Sequence, residues 1–361
     1  MDQLDLGTIV LNWNGLEDTL GCLTSIYAQN AVPAYVVLVD NGSADGSVEG
    51  VHDWLNRHLR FIATEIQSHA QTPHRVCEFV LHDREDSVAE GESRCSPFRF
   101  VTIQNGKNLG FAAGNNVAIR FLIDRCVKYV LLLNNDTALA DEAFAILVQG
   151  MEQYAECQCM VPQIRYASDP DRIWNCGAEW TWLGTPRYHY AEQNVSALDG
   201  VGPFEVEMVS GCALIIRSSW LETHGFLSER FFFGEEDIEF SWRMRAMGRG
   251  KMFCWPQAVI FHKVGSSLTK RADVGLLPKV YIGYLNRMIF LRGAWGNGYR
   301  WRARRILLHT YFCWKLIARM GVSPRAAIRV VRDFARDSLE LNGVDAEFFS
   351  HLMNEKFKAA R

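Results

Sequence analysis

The chain has 361 residues, 48% apolar and 22% charged, with a formal net charge of -3. That is enough for one large core or two modest ones, and the balanced charge excludes the global basic field of a nucleic-acid binder. The ten cysteines show no C-x-x-C spacing, which favours buried thiols in a reducing compartment over a disulfide frame or a zinc site.

The N-terminus is acidic and enters a strand almost at once, so no secretory signal is expected. Ile306 to Met320, the longest near-apolar stretch, is broken by His309, Lys315 and Arg319 and falls short of the roughly 18 apolar residues of a spanning helix. The expectation is a cytoplasmic protein, free or peripheral at the inner face of the cell membrane.

In chain order, short apolar runs at 7–11, 35–39, 100–103 and 129–133 alternate with helical patterns near 19–29 and 114–126. Runs apolar at consecutive positions predict strands buried on both faces, hence an α/β fold with a mostly parallel sheet flanked by helices. Residues 52–99 form a polar insertion, read as a helix, a short strand at 77–81 and a surface segment without assigned chemistry.

Three strands end in polar clusters: Asn12-Trp13-Asn14-Gly15, Asp40-Asn41-Gly42-Ser43 and Asn134-Asn135-Asp136. The carboxyl ends of the strands form the ligand crevice in open α/β sheets, so the clusters should converge. Each alone could be an ordinary polar turn. Asp136 offers a hard oxygen to a divalent cation, with a nucleoside diphosphate completing the shell. Asp40 can accept hydrogen bonds from a base or ribose. No G-x-G-x-x-G and no G-x-x-x-x-G-K-[ST] follows the first strand, which disfavours dinucleotide and P-loop chemistry.

Glu235, Glu236, Asp237 and Glu239 place four acids within five positions at a helix start. Dipole stabilisation explains acids there; crowding also raises the pKa of at least one of them, which suits a general base. His262 follows another apolar run and gains weight as a ligand only if it lies near Asp136. From Leu276 to Arg336, thirteen Lys and Arg face the single acid Asp333, interleaved with Tyr and Trp. This basic helical extension suits a membrane interface or, equally, packing on the preceding domain.

Read in order, 10–15, 39–43, Asn108-Leu109-Gly110-Phe111-Ala112-Ala113-Gly114-Asn115-Asn116, 133–136, Ser210-Gly211-Cys212-Ala213, 236–239 and His262 with Gly265-Ser266-Ser267 resemble one family. It is the inverting glycosyltransferases of the GT-A (Rossmann-like) fold, family 2, especially its rhamnosyltransferase-like branch. The resemblance covers roughly residues 7 to 290. It implies a catalytic domain over 1–275, mainly nucleotide-binding to 140 and mainly acceptor and base from 141, followed by a helical extension over 276–361.

It further implies that Asn134-Asn135-Asp136 replaces the family's D-x-D element, so that Asp136 and His262 hold Mn²⁺ or Mg²⁺. Asn12 and Asn14 would line the base pocket and Asp40 would contact base or ribose, with Asn108, Asn115 and Asn135 near the nucleotide-sugar. Gly211 would admit the donor sugar. Asp237 would be the base, with Glu236 its competitor. The donor would be a UDP- or dTDP-linked sugar, rhamnose or another hexose, and the acceptor a glycan or lipid-linked hydroxyl in cell-surface polysaccharide synthesis. Trp174, Trp180 and Trp182 are either an acceptor-stacking face or core residues. The rival readings are a sugar-phosphate nucleotidyltransferase, which would show a Gly-rich basic loop after the first strand, and an inactive sugar-binding scaffold, which would lack the acids.

Overall fold

The computed structural model describes residues 2–58, 61–71, 74–83, 98–248, 250–264, 276–296 and 298–353. The first half runs β1 (Asp2–Asn12), α1 (Leu16–Tyr27), β2 (Ala31–Asp40), α2 (Ser47–His58), β3 (Phe61–Gln71), β4 (His74–Asp83), β5 (Phe98–Gln104), α3 (Phe111–Ile123) and β6 (Tyr129–Asn134). Then follow β7 (Thr137–Leu139), α4 (Ala143–Gln153), β8 (Cys157–Tyr166), β9 (Asp169–Asn175), β10 (Ala178–Trp180), β11 (Pro186–Tyr188), β12 (Phe204–Val206), β13 (Ala213–Arg217), α5 (Ser218–His224), α6 (Glu236–Ala246) and β14 (Lys251–His262).

The large central sheet has the order β12-β14-β8-β13-β6-β1-β2-β5-β4-β3. Its middle strands β6, β1, β2 and β5 are parallel, as are β14 and β8, and antiparallel partners complete both margins. This is the α/β architecture expected, a mostly parallel centre flanked by helices. The apolar runs become strands because both faces are covered: Ile9, Val10, Val37, Leu38, Leu131 and Leu132 are fully buried.

Helix α3 starts one turn before the predicted Gly114. Gly114 is internal because a Cβ there would lie 2.7 Å from the Leu11 side chain and 3.3 Å from that of Asn41; its role is close helix-to-strand packing. The strand expected at 77–81 lies within β4, which pairs antiparallel with β5 from Arg75↔Gln104 to Leu81↔Phe98. The remainder of the predicted surface segment, 84–97, lies outside the described residues, as does Gly265-Ser266-Ser267.

Beyond β14 come α7 (Leu276–Trp295), α8 (Tyr299–Met320), α9 (Pro324–Glu340) and α10 (Ala346–His351). Ser323 caps α9 through Ala326 N–H at 3.4 Å, with Pro324 at its first position, and Asp345 caps α10 through Phe348 N–H at 2.8 Å. These helices share a core of Tyr281, Leu285, Phe312 and Phe334 that continues into Phe231, Ile238 and Met208 of the preceding part of the chain.

Candidate active site

From β1 the chain moves to β2 on one side and returns through β6 on the other. The carboxyl end of β1 is therefore a topological switch point, where open α/β sheets bind ligands. Asn12 sits there with 0% exposure. Its Nδ2 donates to Asp40 Oδ1 (3.2 Å) and Ser43 Oγ (3.1 Å), and its Oδ1 accepts from Thr19 Oγ1 (3.0 Å) and Asn135 Nδ2 (3.2 Å).

Every hydrogen-bonding position of that amide is used. Asn12, expected to line a base pocket, positions Asp40, Ser43 and Asn135, which meet around it. Asn135 likewise points inward, donating also to Thr19 Oγ1 at 3.0 Å. Asp40 accepts a second bond from Ser43 N–H at 3.1 Å. Asn14, at φ +51°, accepts from Ala44 N–H at 2.7 Å and so ties the first polar cluster to the second.

Asn41 is a second hub, and only folding makes it one. Its Nδ2 donates to Asn108 Oδ1 (2.9 Å) and Gly110 O (3.1 Å), while its Oδ1 accepts from Asn105 Nδ2 (3.1 Å) and Leu109 N–H (3.1 Å). The 105–110 loop thus lies across the end of β2. Gly42 permits this, with φ +77° and space for a Cβ only 2.7 Å from the Lys107 backbone. Asn108 is placed at this rim. Asn115 is not: it is 2% exposed and donates to Phe111 O at 2.9 Å inside α3.

Asp136 and His262 are brought together by strand pairing. β7 pairs antiparallel with the end of β14 in the register His262↔Thr137, and Lys263 N–H donates to Asp136 O at 2.9 Å. The result is His262 Nε2 at 3.2 Å from Asp136 Oδ1, with both side chains buried. His262 also meets the Trp174 ring edge to face at 4.7 Å between centroids. Among the described residues one carboxylate and one imidazole meet here, and no group of three or more His, Cys, Asp or Glu could hold a metal ion.

Trp174 connects this pair to the acids. It lines a cavity of about 120 Å³ with Asn175, Tyr188, Ser210, Asp237 and Ile238. Asp237 lies in the first turn of α6, and its Oδ2 accepts from Gly211 N–H at 3.2 Å. A Cβ on Gly211 would lie 3.2 Å from the Phe111 ring and 3.8 Å from Asp237 Cβ. The close approach Gly211 allows is therefore to the Phe111 ring. Of the other tryptophans, Trp180 packs against Trp242 and Phe290, while Trp182 is 65% exposed.

Burial raises the pKa of Glu235, Glu236 and Asp237. For Glu236 the Asp237 charge adds to the rise, and its buried Oε2 has no hydrogen-bond partner. For Asp237 the Gly211 and Ile238 amides oppose burial. Burial and the neighbouring charge favour the protonated form of Glu236, while Asp237 faces the cavity.

A stability test follows for Glu236. An acid whose folded pKa is raised costs stability as pH climbs from its unfolded to its folded value, because the folded state binds more protons. Glu236→Gln should therefore melt close to wild type at pH 5 and above it at pH 9 in scanning calorimetry. A variant less stable than wild type at pH 9 would show that the buried carboxylate is satisfied as an anion.

Glu235 has φ +83°, a left-handed conformation uncommon for a side chain of its size. Helix α7 holds it there: Arg287 Nε pairs with Glu235 Oε1, Arg287 Nη1 donates to Gly184 O at 3.1 Å, and Asn286 Nδ2 donates to Phe233 O at 2.9 Å. Arg287 also lowers the pKa of Asp237. Nothing in sequence distinguishes Arg287 from twelve other cations of its segment, and only docking of α7 against the acids selects it. Arg287→Ala, which leaves Glu235 buried and unpaired, should cost about 3 kcal/mol in urea unfolding at pH 7. The loss should shrink at pH 5 as Glu235 takes up a proton; an equal loss at both would assign the effect to packing.

No family model matches the chain. A low-salt glycan biosynthesis hexosyltransferase, Agl10 of Haloferax volcanii, is 28% identical over 180 residues, 47% of this chain and 54% of the relative; the chain thus spans about half the length of that curated relative. GalNAc-T7 with UDP, GalNAc and Mn²⁺ superposes with a TM-score of 0.54 at 14% identity, covering 98% of this chain and 56% of that one. Mannosyltransferase PcManGT from Pyrobaculum calidifontis, with GDP-Man and Mn²⁺, gives 0.50 at 14% identity, covering 97% and 85%. At these identities the likeness is one of fold, and the fold is that of the GT-A glycosyltransferases.

Proposed function

We propose that the chain is an inverting hexosyltransferase that moves a sugar from a nucleoside diphosphate to a hydroxyl of a glycan or lipid-linked acceptor. The observation that carries this reading is Trp174, which touches His262 beside Asp136 and lines the cavity that holds Asp237. A leaving diphosphate and an incoming hydroxyl need a cation site and a base on opposite sides of one sugar, and Trp174 touches the first of these groups while lining the cavity that holds the second.

In this reading Asp40 meets the base or ribose, with Asn14 and Asn108 at the rim, while Asn12, Asn41, Asn115 and Asn135 position the loops. Asp136 and His262 would hold a divalent cation, Mn²⁺ or Mg²⁺. A carboxylate and an imidazole suit a cation whose remaining ligands come from diphosphate oxygens and water. The cation, when bound, would neutralise charge on the leaving group. Asp237, open to the cavity and fixed by Gly211 N–H, would take the acceptor proton; Glu236 is buried, and its raised pKa favours the protonated form.

The relatives named above are a hexosyltransferase and enzymes bound to UDP or GDP-Man, which supports a nucleotide-sugar donor. Rhamnose from dTDP, or a hexose from UDP, is the donor proposed for first trial, in keeping with the family 2 resemblance. Purified protein screened against UDP-, GDP- and dTDP-sugars with Mn²⁺ should be stabilised by its donor, by about 2.7 kcal/mol at 100-fold over Kd, and should hydrolyse it slowly. Stabilisation by none of them, with no hydrolysis, would reject the reading.

A further inference from the structure

Helix α8 is apolar on two faces. Its inner face, Trp301, Leu308, Phe312 and Leu316, is buried against α7 and α9. On its outward side Ile306 is 65% exposed, Trp314 50%, Leu307 48% and Ile317 38%. From Ile306 to Ile317, at 1.5 Å per residue, this stripe runs for about 17 Å. Exposed apolar side chains clustered on one helix face mark an interaction surface.

The surroundings of the stripe are cationic. Arg302 and Arg319 are exposed on α8 itself, and Arg325, Arg329 and Arg332 are exposed along α9 at spacings of four and three, with Ile328 among them at 61% exposure. The segment 276–336 carries one acid, Asp333, against thirteen cations, although the whole chain is net negative. No described helix is long and apolar enough to cross a membrane. Outward aliphatic and aromatic side chains bordered by arginines are the composition of a helix lying in a lipid interface.

We infer that the outward faces of α8 and α9 dock on an anionic lipid surface. The apolar stripe enters the headgroup boundary and the arginines meet the lipid phosphates. Helix α7 shows what this does for the rest of the molecule. Tyr281 and Tyr284 pack on Phe334 and Phe312 of the docking helices, while Phe290 packs on Trp180 and Arg287 holds Glu235 beside Asp237. The lipid-facing layer is therefore separated from the acidic cavity by one helix. Docking itself is independent of the reaction proposed above.

Flotation of the full chain on phosphatidylcholine vesicles, with and without phosphatidylglycerol, tests the inference. Wild type should float with the anionic vesicles and stay behind with the neutral ones. Ile306→Ser/Leu307→Ser/Trp314→Ser and Arg325→Glu/Arg329→Glu/Arg332→Glu should each lose about tenfold or more in partitioning. Both sets alter exposed side chains, so their circular dichroism melts should match wild type, as should hydrolysis of soluble donor. Absence of flotation with anionic vesicles, or flotation unaffected by both variants, would overturn the proposal. So would a dimer in light scattering that the triple serine variant converts to monomer, since a second copy would then cover the stripe. Donor hydrolysis without flotation would sink this inference alone, and flotation without hydrolysis the proposed reaction alone.

Discussion

Asp237→Asn is expected to lower the rate of sugar transfer by 10²–10⁴-fold, the usual contribution of a positioned general base, while donor affinity stays within about twofold. Asparagine keeps the oxygen that accepts from Gly211 N–H at 3.2 Å, so the side chain should hold its place and lose only its basicity. Glu236→Gln, at the neighbouring position, should change the rate far less, because that carboxyl is buried away from the cavity and its raised pKa disfavours the anion. The pair of variants separates two adjacent acids that chemistry alone does not distinguish.

Wild-type transfer should decline as the pH falls through the Asp237 pKa, which burial places above the ordinary aspartate range, since only the anion accepts a proton. Single-turnover rates across pH in wild type and both variants are the measurement. Unchanged turnover in Asp237→Asn would move the base to Glu236.

Asp136→Ala should remove most transfer, by roughly 10³-fold, which corresponds to the several kcal/mol that a cation contributes to stabilising a leaving diphosphate. A second readout does not depend on turnover. Mn²⁺ and a nucleoside diphosphate should bind cooperatively to wild type in calorimetry, and that coupling should vanish in the variant. His262→Ala should weaken the coupling less, because imidazole contributes one neutral ligand and the carboxylate contributes the charge. Full activity of the wild type in EDTA would eliminate the cation, and Asp136 would then be a residue that orients His262 and the β7 turn.

Much of this architecture is readable from one sequence because its signals are local. Strands such as 35–39 and 129–133 are apolar at every position, which only burial on both faces explains, and each ends where Asn, Asp and Gly begin. Those endings locate the crevice before any contact is known. Helix α3 begins at Phe111, before the expected 114, and Gly114 lies inside it because the Leu11 and Asn41 side chains pack against its backbone.

The sequence by itself determined the α/β class, the three polar strand ends, and the chemical types Asp136, Asp237 and His262. It could not determine which of them touch, since Asp136 and His262 are 126 positions apart and meet only through the register His262↔Thr137. Tertiary structure also decided that Asn12 is a fully bonded hub, that Asp237 rather than Glu236 faces the cavity, and that Arg287 of the basic segment reaches Glu235. The reason is common to all three. Hydrogen-bond saturation, exposure and pairing are properties of what surrounds a side chain, and those surroundings come from segments distant in the chain.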